Sequence, residues 1–161
     1  MASDQAPIVQ CPPDRLRVAA YITRVGDGLQ LLVFEHMDAS EVGLQIPAGG
    51  VEQGETLVGA LHREVLEETG VCVLGELQAV SVDQSPHPVT GEGRVTVFFH
   101  GQTDDQRERW IHTVADGTGS DDGLHFLCYF ANLRNLPEEL ADGQGRFLHL
   151  VSVEVGSDDP Q

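Results

Sequence analysis

The chain has 161 residues, enough for one domain with a proper core, and 40% of it is apolar. Twenty-six acids oppose nine bases, for a formal net charge of −17, and every base is an arginine. Such a surface speaks against a nucleic-acid polymer or an anionic membrane as partner, because both need a basic face.

Three cysteines, Cys11, Cys72 and Cys128, are too few and too irregularly spaced for a disulfide framework or a zinc site. A reducing, cytoplasmic setting is therefore expected. The opening MASDQAPIVQCPPD has neither a basic region nor an apolar run, so no signal peptide is expected. No apolar window is long enough for a membrane span.

Taken in chain order, residues 1–15 read as a loose arm, polar and broken by proline. RVAAYITR (17–24) and LQLLVFEH (29–36) are β-branched and apolar and flank GDG (26–28), which predicts a hairpin. The stretch from Met37 to Gly50, punctuated by glycine and proline, reads as loop. Thr56 is the expected N-cap of a helix from Leu57 to Thr69, and Gly70 its C-terminal glycine. Strands are predicted at 74–82, 94–102 and 124–133, with a short one at 109–114 pairing with the last. A short helix is expected at PEELA (137–141), and residues 155–161 read as a flexible tail. The pattern predicts a single domain from about residue 16 to 154, α/β or α+β with a mixed sheet.

The helix carries the chemistry. With Leu57 at zero and about 100° per residue, Leu61 falls near 40°, Val65 near 80° and Val58 near 100°, which predicts a buried stripe. On the same wheel Glu64 falls at about −20°, Glu67 at about −80° and Glu68 at about 20°. Glu68 thus lies inside the apolar stripe, whereas a solvated acidic face would lie opposite it. Three neighbouring carboxylates, one of them buried, repel one another and call for a cation. A chain with nine arginines and no lysine has few to offer. Oxygen donors of this kind suit Mg²⁺, or Mn²⁺, rather than zinc. Just upstream, Gly49 and Gly50 allow a backbone to approach an ion closely. Arg63 is spaced to pair with Glu55 and hold that loop to the helix.

Gly49–Val71 reads GGVEQGETLVGALHREVLEETGV. It resembles the complete signature of the Nudix hydrolases: Gly49, Glu55, Arg63, Glu64, Val65, Glu67, Glu68, Gly70 and Val71 fill its fixed positions. The resemblance implies a Nudix-type α/β/α sandwich with a mixed sheet, the signature forming a loop–helix–loop. It implies a Mg²⁺-dependent enzyme that cleaves the pyrophosphate of a nucleoside diphosphate linked to a further group. Gly49, Glu64, Glu67 and Glu68 are its expected metal ligands. Glu64, Glu67 and Arg63 form the expected catalytic set, with Glu64 as a ligand or the general base. Gly50, Glu55 and Gly70 are structural within the motif, and Arg63 with Glu55 looks more architectural than chemical.

In this family the base varies between members and can sit on a late loop; Glu92, Asp121, Asp122 and Glu138 are candidates. A proline after the signature, here Pro86, resembles the ADP-ribose pyrophosphatases. A MutT-type nucleoside triphosphate pyrophosphohydrolase and a non-hydrolysing nucleotide sensor are the alternatives. The expected partner is a small nucleotide. A homodimer, with an exchanged N-terminal arm, is also consistent with the resemblance. Trp110, Tyr21, Tyr129 and Phe34 are the aromatics available to stack on a base.

Overall fold

The strand β1 (Arg15–Gly26) is buried on both faces from Val18 to Thr23, and the rest of the molecule is built around it. The computed structural model describes residues 15–115 and 122–152. The expected arm and tail lie outside that range, except that Arg15 already belongs to β1. A hairpin around Asp27 leads into β2 (Gly28–His36), with Gly28 at φ 81° making the tight turn.

The sheet continues with β3 (Ala48–Gly50), β4 (Leu74–Asp83), β5 (Arg94–Gln102), β6 (Arg109–Thr113) and β7 (His125–Asn132). Its order is β4-β5-β1-β2-β7-β6, with β3 paired to β1 off this path. The β1–β5 pair is parallel and the others are antiparallel, so the sheet is mixed as expected. The short strand 109–113 does pair with β7.

Alternation along β1 divides the core in two. Val18, Ala20 and Ile22 pack against Ala60, Leu61 and Val65 of the helix α1 (Leu57–Thr69). Ala19 and Tyr21 face the other way, onto Leu44, Ile46, Leu140 and Val151. Helix α1 has the predicted limits. Thr56 Oγ1 accepts from the Gly59 amide, and Gly70 closes the helix in the left-handed region at φ 73°. Glu68 is buried within the apolar stripe, as the wheel predicts. Val58, assigned to the same stripe, is instead exposed. It stands in the first turn, whereas burial begins at Ala60.

Two other expectations fail. The loop from Met37 to Gly50 ends in a strand, because Ala48–Gly50 finds free β1 backbone opposite Arg17–Ala19. The helix expected at PEELA is absent. Leu140 is extended there and bridges Leu44, and the Ala141 amide donates to the Leu44 carbonyl at 2.8 Å. Backbone hydrogen bonds given to a distant strand leave none for a local helix. Two single 3-10 turns, Ala141–Gly143 and Leu148–Leu150, follow. This segment is strapped to the sheet by Tyr21, whose hydroxyl donates to the Gln144 carbonyl, and by the Ile46 amide, which donates to Gln144 Oε1 at 2.9 Å.

Candidate active site

Helix α1 and strand β3 bring the glycines and the glutamates of the motif together. A Cβ built on Gly49 would collide with the Glu64 carboxyl group, so only glycine lets that carboxylate lie against the backbone. Glu68 is 7% exposed and its Oε1 accepts the Ala48 amide at 2.9 Å. The buried acid is thereby oriented by the strand beside it.

Arg63 is the hub. Its Nε and Nη2 fork onto the Glu55 carboxylate at 2.8 and 2.9 Å, and Nη2 also donates to the Gly50 carbonyl at 3.0 Å. Nη1 donates to Glu64 at 2.9 Å and to Glu67 at 3.2 Å. All five guanidinium donors are thus used, a geometry that lysine cannot reproduce. The expected Arg63–Glu55 pairing is present, and it fastens the loop before the helix to the helix itself. The guanidinium hydrogen bonds hold the Glu55 carboxyl down at about 2. Glu64 goes the other way: burial pushes its carboxyl up to about 7, against the opposing pull of Arg63.

Among the described residues, no three Asp, Glu, His or Cys groups already converge as a metal site. Two carboxylates, Glu64 and Glu67, meet at one Arg63 nitrogen, and Glu64 rests on the Gly49 backbone. Mg²⁺ commonly binds through one or two carboxylates with waters and substrate phosphates completing its shell. The donor set is all oxygen and fits that habit.

The expected late-loop bases are scattered. Glu92, Asp122 and Glu138 are exposed on separate loops, and Asp121 lies outside the described residues. The aromatics are mostly committed elsewhere. Tyr21 and Phe34 are fully buried, and Trp110 Nε1 donates to the Thr69 carbonyl at 2.8 Å beneath the Arg107 guanidinium. Tyr129 is half-buried under Arg109. Pro86 lies in the loop between β4 and β5.

Sequence reasoning missed a group of arginines on the strands. Arg15 and Arg17 of β1 lie opposite Arg94 and Thr96 of β5. Arg94 grips Asp142 with Nη2, 2.6 and 2.8 Å from the two carboxylate oxygens. The signal was present in the alternating RLR at 15–17, which puts two of nine bases on one face of a strand.

A family model for the NUDIX domain matches residues 13–151. The chain is 31% identical over 113 residues to an RNA pyrophosphohydrolase of Novosphingobium aromaticivorans, covering 65% of this chain and 67% of that protein. In structure it is similar to a MutT NUDIX hydrolase from Burkholderia pseudomallei, with a TM-score of 0.64 and 23% identity over 87% of this chain and 99% of the other. It is similar also to the NUDIX domain of NrtR from Shewanella oneidensis, solved with ADP ribose. There the TM-score is 0.64 and the identity 17%, over 86% of each chain. At these identities the two structures speak for the mixed α+β fold.

Proposed function

This chain belongs to the NUDIX family, and on that premise we propose that it is a Mg²⁺-dependent pyrophosphohydrolase acting on a nucleoside diphosphate linked to a further group. The family makes it a pyrophosphate-cleaving hydrolase. The observation that carries the finer reading is the meeting of Glu64 and Glu67 at one nitrogen of Arg63, with Glu64 seated on Gly49.

In this reading Glu64, Glu67, Glu68 and the Gly49 carbonyl would hold the metal. Bound there, a divalent ion supplies positive charge to the pyrophosphate and acidifies a water. The chain's own contribution is placement. The Ala48 amide aims Glu68, Arg63 spaces Glu64 from Glu67, and Glu55 anchors Arg63. A protein of charge −17 repels a pyrophosphate at long range, so sign inversion has to be local. The alternative role for Glu64, in place of metal ligation, is that of general base, since a half-buried carboxylate is suited to take a proton from water during attack. Among the described residues no helix is long and apolar enough to cross a membrane.

ADP-ribose or a related small nucleotide is the preferred substrate, supported by the acidic surface and by the bound ligand of the NrtR domain. The relative named for RNA favours a second reading, in which the substrate is the 5′-polyphosphate end of an RNA. The test is a panel of ADP-ribose, NADH, dinucleoside polyphosphates, nucleotide sugars, nucleoside triphosphates and 5′-triphosphorylated RNA with Mg²⁺, with products identified by mass. Turnover of the small nucleotides over RNA supports the proposal. Turnover of RNA alone moves it to the second reading, and no turnover of any member overturns both.

A further inference from the structure

The glutamate side of the site is matched, across β3, by cations that lack hydrogen-bond acceptors among the described residues. Arg17 and Arg15 occupy alternate positions of β1 and therefore share a face. Arg17 is the register partner of Gly50, and the Arg15 guanidinium lies against Gly50, with Nη2 3.0 Å from where its Cβ would stand. Arg17 lines a small cleft with Ala48, Arg94 and Thr96, and two carboxylates, Asp83 and Asp142, face the same cleft. Ala48, in the same lining, donates its amide to Glu68 Oε1 at 2.9 Å, which places the cleft beside the glutamates, and the Arg17 charge acts on both Glu64 and Glu68.

Among the described residues, no hydrogen bond or ion pair engages the side chain of Arg15 or Arg17. Arg94, by contrast, is clamped bidentately by Asp142. Asp142 holds that position at φ 55°, the sole non-glycine at positive φ among the described residues. Asp142 thus occupies Arg94 Nη2, while the Arg94 charge still repels Arg17 and the Asp142 charge attracts it. Burial, and then Arg94, press the Arg17 guanidinium below its ordinary pKa. A half-buried guanidinium with open donors gains from an oxyanion that accepts them directly, which neither Asp142 nor Glu68, acting on it only through charge, does.

Resting on the pyrophosphohydrolase reading above, we propose that Arg17, backed by Arg15, is the substrate-binding arm of the site and takes the non-bridging oxygens of a substrate phosphate. Glutamates and arginines then divide the polyphosphate between them: the carboxylates take the phosphate carried by the metal, and the β1 guanidiniums take a neighbouring phosphate directly. A fork-shaped, permanently charged donor suits that task.

The test measures binding without turnover. Imidodiphosphate, a non-hydrolysable pyrophosphate analogue, is titrated by calorimetry with Mg²⁺ present, and Mn²⁺ binding is followed separately by electron paramagnetic resonance. Arg17→Gln should weaken the analogue by about tenfold or more. Arg17→Lys should keep most of the binding, and Arg134→Gln, an exposed arginine elsewhere, should leave it unchanged. Mn²⁺ binding in Arg17→Gln should stay equal or tighten, because a cation beside the glutamates has been removed. Thermal melts establish that each variant is folded; Arg15→Gln, at the more exposed position, serves if Arg17→Gln is not. The proposal is overturned if the glutamine variant binds the analogue as well as wild type. It is overturned equally if analogue and Mn²⁺ affinity fall together, which would make Arg17 a support of the glutamates. Either failure leaves the hydrolase reading standing, since that reading is decided by the substrate panel.

Discussion

Arg63 and Arg17 both meet Gly50, one through its carbonyl and the other as its partner across the β1–β3 pairing, yet their surroundings are opposite. Arg63 spends all five donors on Glu55, Glu64, Glu67 and Gly50. Arg17 spends none on a described residue. A saturated guanidinium is architecture: removing it strands several carboxylates at once. An unsaturated one in a cleft contributes little to the folded state and is kept available for an anion from outside. The difference separates support from recognition within a few ångströms of one strand.

The comparison can be broken in several places. The largest effect is expected at the acids that Arg63 spaces. Glu67→Gln should lower Mg²⁺-dependent turnover on the order of a hundredfold or more while the melting temperature is kept. Wild-type rates in that variant would remove Glu67 from the metal set. Next, Arg63→Ala should destabilise by about 2–4 kcal/mol in denaturant unfolding, because three carboxylates lose their counter-charge together. Arg17→Gln should stay within about 0.5 kcal/mol of wild type in the same assay. Equal losses from the two would erase the contrast between Arg63 and Arg17.

Gly49→Ala tests the seat of Glu64. The added methyl must displace the carboxylate, for an expected loss of about 1–3 kcal/mol and a matching fall in Mn²⁺ affinity. Thr56→Ala removes the N-cap at the far end of α1 and should cost about 1 kcal/mol without altering metal affinity.

The smallest effect concerns His100, buried and bonded to Thr23 Oγ1 at 2.8 Å, away from the glutamates. Burial lowers its pKa below the ordinary value of 6.5. Below that value the unfolded chain takes a proton that the folded one resists, so the stability this site contributes is present above 6.5 and lost as the pH falls. His100→Gln should flatten the change in melting temperature between neutral and mildly acidic pH. An unchanged slope would remove His100 as its source.

Much of this was legible in the chain because it is local. The limits of α1 follow from Thr56, the apolar spacing and Gly70, all within one stretch of sequence. The burial of Glu68 follows from helical angle alone, and the hairpin from two apolar runs flanking GDG. Val58 shows where such reasoning stops: the wheel gives an angle, but the sheet covers only part of the helix length. PEELA shows the same limit from another side. Its helical composition was overridden when Leu140 and Ala141 gave their backbone to Leu44.

By itself, then, the sequence determined the motif, the helix that carries it and the need of its clustered acids for a cation, because spacing and periodicity act over a few residues. Tertiary structure alone decided that β3 would pair with β1, that Arg94 would be held by Asp142 forty-eight residues away, and that Arg15 and Arg17 would stand beside the glutamates with no acceptor among the described residues. Those relations depend on parallel and antiparallel pairings between distant strands, and no local period encodes which backbone a strand will meet.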